Sequence, residues 1–92
     1  MIESFKHKGL KRLHQKGDVT GIRRDMLDKI ERILTVLDTA AGPEALDLPG
    51  YRLHSLKGEY KGFWSVTVNG NWRIIFRFAG HNAVYVQLID YH

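Results

Sequence analysis

The opening heptapeptide MIESFKH alternates Ile2 and Ser4 against Glu3 and Phe5, a period of two that predicts a short first strand. KGLKRLHQK follows with Leu10 and Leu13 at helical spacing, and Gly17 behind it supplies a helix stop. The run GIRRDMLDKIERILTVLDTAAG then sets Ile22, Met26, Ile30, Ile33, Leu34 and Leu37 on one stripe. That stripe predicts a second helix with a single buried face, ended by Gly42-Pro43. PEALDLPG reads as a loop, too short and too apolar to link two domains. After it the period changes from 3.6 to 2, through GYRLHSL, GFWSVTVNGNWRIIFRF and AVYVQLIDYH, which predicts an antiparallel meander.

Asn69-Gly70 suits a two-residue type I′ turn, pairing Val68 with Asn71, Val66 with Arg73 and Trp64 with Ile75. One face of the hairpin would carry Phe63, Ser65, Thr67, Trp72, Ile74, Phe76 and Phe78. The other would carry Trp64, Val66, Val68, Asn71, Arg73, Ile75 and Arg77. The helices need an apolar face, so they are assigned to the first, leaving Asn71, Arg73 and Arg77 on the open side. The expected architecture is α+β: a first strand, two helices, then a three-stranded antiparallel meander that also recruits the first strand. Residues 1–92 form one domain, long enough to bury roughly 60 to 65% of the unfolded chain's surface and too short for a second core.

Charge adds a partner to this picture. Residues 1–17 carry Lys6, Lys8, Lys11, Arg12 and Lys16 against Glu3, a net of +4; residues 18–50 are net −3 and residues 51–92 net +3. Two basic regions flanking an acidic one point to a phosphate backbone, ahead of a membrane surface. No apolar run approaches the roughly 20 residues needed to span a bilayer, and the start lacks the features of a secretory signal, so a cytoplasmic protein is expected. The absence of cysteine removes disulfides, thiolate catalysis and thiolate zinc sites together.

Several polar groups stand out in or beside the strands: Arg52, His54, Lys57, Asn71, Arg73, Asp90, Tyr91 and His92. Singly, each reads as surface or hydrogen-bonded polarity. Together they lie on strands of one small sheet, where a meander brings His54, Arg73, Asp90 and His92 toward its uncovered face. Strict alternation sets Asp90 and His92 on one side and Tyr91 on the other. His54, Asp90 and His92 have ligand chemistry, but no close histidine spacing marks a metal motif, and no metal or cofactor is expected. Cleavage of a phosphodiester needs a base, an acid and cations on the phosphate. His54, Asp90 and His92 supply the first two, with the choice among them open; Arg73 and Lys57 supply the cations. With the RNA's own 2′-hydroxyl as nucleophile, no cofactor is required and DNA is excluded. Trp64 and Tyr91 offer rings for a splayed base, and the Asn71 carboxamide can read an adenine edge.

The same residues carry a resemblance. MIESF with GLKRL, then YRLHSLKG, GFWSVTVNGNWRIIFRF and the terminal IDYH resemble the HigB branch of the RelE superfamily, toxins of toxin–antitoxin pairs that cleave messenger RNA on the ribosome. The resemblance implies a RelE-like fold and an endoribonuclease acting on mRNA in the A site of the 70S ribosome. It also implies a HigA-like helix-turn-helix antitoxin as partner. It puts His54, Asp90, Tyr91 and His92 on catalytic positions and Lys57 and Arg73 on phosphate-holding ones. Where the family usually shows an arginine soon after LKGD, this chain has Tyr60, and Lys61 beside it is the replacement cation. The alternative is a non-catalytic toxin of the ParE type, which lacks this polar cluster, or a plain RNA-binding module on the same fold.

Overall fold

Helix α1 spans Lys8–Lys16 and carries both of its predicted anchors, Leu10 and Leu13, into the core. His7 caps it: its Nδ1 accepts the Leu10 N–H at 3.1 Å. Gly17, at φ 69°, turns the chain out of the helix. A 3-10 turn at Arg24–Met26 leads into α2, Leu27–Thr39. All six positions of the predicted stripe are buried. The helix ends at Thr39, ahead of the expected glycine-proline stop, because Ala40 already has extended backbone. The segment read as a loop contains another 3-10 turn, Pro43–Leu46, which seats a fully buried Leu46.

The computed structural model describes residues 1–91; His92 lies outside the described residues. Its sheet runs β1 (His54–Ser55), β2 (Trp64–Asn69), β3 (Trp72–Ala79) and β4 (Asn82–Asp90), each antiparallel to the next. The meander thus has four strands once the short first one is counted. The opening residues join it as expected, through parallel bridges Ile2–Ala83 and Phe5–Val86 beside β4. The contact is two isolated bridges because β4 bulges between them: Tyr85 takes a left-handed φ of 55°, and its N–H bonds to Ser4 Oγ at 2.8 Å.

The hairpin register differs from the expected one by a residue. Trp64 pairs with Phe76, Ser65 with Ile75, Val66 with Ile74 and Thr67 with Arg73, and the turn is Gly70-Asn71 between Asn69 and Trp72. Gly70 has φ 55° and Asn71 has no positive φ, whereas type I′ needs both. An irregularity between Thr67 and Asn69 absorbs the difference. A one-residue slip moves a whole strand's side chains to the opposite face. So Trp64, Val66 and Val68, expected on the open side, join Trp72, Ile74, Phe76 and Phe78 against α1 and α2. Ser65 and Thr67, expected under the helices, share the other face with Arg73, Ile75 and Arg77.

Candidate active site

The face turned away from the helices is built in rows by the register. His54 lies opposite Ser65, Ser65 opposite Ile75 and Ile75 opposite Gln87; one pleat further on, Thr67 lies opposite Arg73 and Arg73 opposite Ile89. The structure therefore does bring His54 and Arg73 to one surface. Ile75 and Leu56 are buried on this side without belonging to the main core, so something covers it. The cover is the link between β1 and β2, a 3-10 turn at Gly58–Tyr60. The Tyr60 ring meets Phe63 at 6.1 Å and Tyr91 at 6.3 Å between centroids. Phe63 stacks beneath the Arg77 guanidinium and the Tyr91 N–H bonds to the Asn71 carbonyl, which places them toward opposite ends of β3. Tyr60 consequently sits between these two rings, on the side of the sheet that carries Arg77.

His54 is exposed, and its Nδ1 sits 2.9 Å from the Arg52 carbonyl. A carbonyl only accepts, so Nδ1 carries the hydrogen in this contact and Nε2 is the ring nitrogen left for another partner. Arg52 has φ 52°, a conformation that costs a non-glycine residue about 1 kcal/mol or more and is held where the surroundings require it. Arg73 is half-buried, and its Nη1 donates to the Gly70 carbonyl at 2.6 Å and to the Trp72 carbonyl at 3.1 Å. Those bonds aim the guanidinium along the turn and leave Nε buried without a partner among the described residues. Lys57 and Lys61, both exposed, flank the 3-10 turn on either side.

The chain end departs from the expected arrangement. Asp90 pairs with Trp72, so alternation sets it on the helix side of the sheet, exposed at the rim, and it is Tyr91 that reaches the face of Arg73 and meets Tyr60. Asn71 is exposed in the β2–β3 turn, beside Tyr91. Trp64 packs half-buried against the core on the covered side, which removes it from the face where a base could stack. His92, the fourth predicted catalytic residue, is outside the described residues. Sequence reasoning missed Ser65 and Thr67 on the face of Arg73; the available signal was the pair of small polar residues at alternate positions of an otherwise apolar strand. Among the described residues no three His, Asp or Glu groups converge to hold a metal ion. A cleft of about 510 Å³ outside α2, lined by Asp28, Glu31, Arg32 and Tyr51 among others, includes none of these residues, and its two carboxylates against one arginine disfavour phosphate.

Comparison with known proteins gives the family and the fold. The chain matches, over residues 3–92, the family model described as RelE-like toxin of type II toxin-antitoxin system HigB. It is 46% identical over 92 residues to the endoribonuclease HigB of Proteus vulgaris, covering 100% of both chains. Its fold is similar to that of YafQ from E. coli strain BL21(DE3), at TM-score 0.61 and 20% identity, with 96% of this chain and 89% of that one covered. It is equally similar to a chain of the heterotetrameric YoeB–YefM toxin–antitoxin complex from Staphylococcus aureus, at TM-score 0.61 and 17% identity, covering 100% and 98%. With a family model spanning nearly every residue and a relative matched end to end, the chain belongs to the HigB family of RelE-like toxins of type II toxin–antitoxin systems.

Proposed function

We propose that the protein is an endoribonuclease that cuts messenger RNA in the ribosomal A site, using the RNA's own 2′-hydroxyl and no metal ion. The observation that carries this reading is that His54, its Nδ1 held 2.9 Å from the Arg52 carbonyl, stands on the same face as Arg73. In the reaction, His54 Nε2 takes the 2′-hydroxyl proton, the 2′-oxygen bonds to the adjacent phosphorus, and the bond from phosphorus to the 5′-oxygen breaks. An acid protonates that leaving oxygen, and the products end in a 2′,3′-cyclic phosphate and a 5′-hydroxyl. Asp90, Tyr91 and His92 are the candidates for the acid; of the two that are described, Tyr91 is on the Arg73 face. Arg73 offsets the charge that grows on the phosphate oxygens, with Lys57 and Lys61 adding to the positive field around the turn.

The same face offers recognition. Tyr91 and Tyr60 present rings to an unstacked base, and exposed Asn71 presents a carboxamide that suits an adenine edge. The exposed lysines of α1 extend the positive field toward a larger RNA surface, as a ribosome provides. In the cell, a HigA-like helix-turn-helix antitoxin holds the enzyme silent in the cytoplasm. The test is cleavage of a defined message, free and on programmed ribosomes, in excess chelator. The reading expects cuts on the ribosome only, with 5′-hydroxyl ends inside the reading frame. Equal cutting of free RNA removes the ribosome from the account; no cutting anywhere leaves a binding module.

A further inference from the structure

Three polar atoms on the Arg73 face are buried without a partner among the described residues: Ser65 Oγ, Thr67 Oγ1 and Arg73 Nε. Ser65 is 0% exposed, the one polar residue among the fully buried ones. The three are neighbours by register. Thr67 stands directly across from Arg73, and Ser65 is the next residue of β2 on the same face. His54 stands directly across from Ser65 on the other flank. Directly opposed residues in an antiparallel pair hold their Cβ atoms about 4.5 to 5.5 Å apart and diagonal ones about 7 to 8 Å, so Thr67 and Arg73 face one spot and Ser65 borders it.

A buried polar atom left unsatisfied costs about 1 to 3 kcal/mol, and alanine and valine would fill the same space without that cost. Three together on one small face mark a place where a partner arrives from outside. Nε of arginine can only donate, and the two hydroxyls can donate as well. What satisfies all three is an acceptor, and beside a guanidinium a negatively charged oxygen is favoured. Beside this face the Tyr60 ring sits between Phe63 and Tyr91, on a short turn between Gly58 at φ 67° and Gly62 at φ 93°.

We propose that Ser65 Oγ, Thr67 Oγ1 and Arg73 Nε form a site for the oxygens of an RNA phosphate. The inference rests on the endoribonuclease reading and assigns phosphate-binding roles to two hydroxyls beside the base. A phosphate seated there adjoins His54, where the attacking hydroxyl must give up its proton.

The test is single-turnover cleavage of a message on programmed ribosomes, with a melting curve, for wild type, Ser65→Ala, Thr67→Val and Thr67→Ser. A hydrogen bond to a charged group is worth enough that losing either hydroxyl slows cleavage about ten- to a hundredfold. Because the lost hydroxyls are unsatisfied in the free protein, Ser65→Ala and Thr67→Val melt at or above the wild-type temperature. Thr67→Ser, which keeps the donor, cuts within a few-fold of wild type. If Thr67→Val and Ser65→Ala cut as fast as wild type, the site does not exist. If they melt well below it and lose activity in proportion, the hydroxyls are structural and the proposal is equally overturned. A wild type that cuts nothing refutes the endoribonuclease reading instead, which keeps the two failures apart.

Discussion

Replacing Arg73 by alanine separates the chemistry of the Arg73 face from the stability of the fold. On the stability side, the substitution removes two hydrogen bonds to carbonyls, one of which belongs to exposed Gly70, where water can substitute. Each is worth about 0.5 to 1.5 kcal/mol net. The same change deletes the unpartnered Nε, whose burial costs about 1 to 3 kcal/mol, so the two effects offset each other to within about 1 kcal/mol. For a domain of this size that is a melting shift no larger than roughly 4 to 8 °C. On the chemical side, the guanidinium is the half-buried cation of the face, and losing one preorganised donor to a developing oxyanion costs about 2.7 to 4 kcal/mol. That corresponds to a rate lower by roughly a hundred- to a thousandfold. Arg73→Lys keeps the charge and loses Nε and the planar fork, so its rate falls between the two. The assay is single-turnover cleavage on programmed ribosomes beside a thermal melt. An Arg73→Ala protein that melts normally and cuts within about threefold of wild type would refute the assignment.

Three further outcomes follow from other parts of the molecule. Reversing exposed Lys8 and Lys11 to glutamate should weaken ribosome binding and flatten its salt dependence while leaving the saturated cleavage rate nearly unchanged; a normal affinity with slow cutting contradicts this. Removing His92 should cripple cleavage and leave the melting temperature intact, because it deletes one polar residue and none of the core found among the described residues; a truncated form that cuts at the wild-type rate makes His92 a bystander. Burial, then nearby Arg12, holds the His7 pKa below the ordinary histidine value, so the neutral ring is the form that caps α1. Its contribution is complete above about pH 6.5 and is lost as the pH falls through the depressed value. Between pH 7.5 and pH 5 the wild type should lose more melting temperature than His7→Asn, which caps without titrating; equal losses would show that the cap is not the sensitive element.

The helices were legible because helical period leaves little freedom: the stripe from Ile22 to Leu37 has one way to be buried, and it is buried. The order of elements followed from the same patterns. The hairpin faces were not legible, because Asn69, Gly70 and Asn71 offer two adjacent two-residue turns, and the choice between them moves every side chain of β2 to the other face. Val66 and Val68 against Ser65 and Thr67 held the answer, since two valines outweigh two hydroxyls for the core side. The positions of Asp90 and Tyr91 depend likewise on the bulge at Tyr85, and nothing in AVYVQLIDYH marks it. The candidate chemistry was legible as a set of residues and not as an arrangement. His54 and Arg73 do share a face, while Trp64 belongs to the core.

The central claim is that the RNA supplies its own nucleophile to a protein that provides a base, an acid and a phosphate clamp. The direct measurement is cleavage of a ribosome-bound message in which the nucleotide 5′ of the cut carries hydrogen in place of its 2′-hydroxyl, in excess chelator, with the product ends identified. The account predicts no cutting of the substituted message, and from the unmodified one a 2′,3′-cyclic phosphate and a 5′-hydroxyl. Undiminished cutting of the substituted message, or a 5′-phosphate on the product, would contradict it.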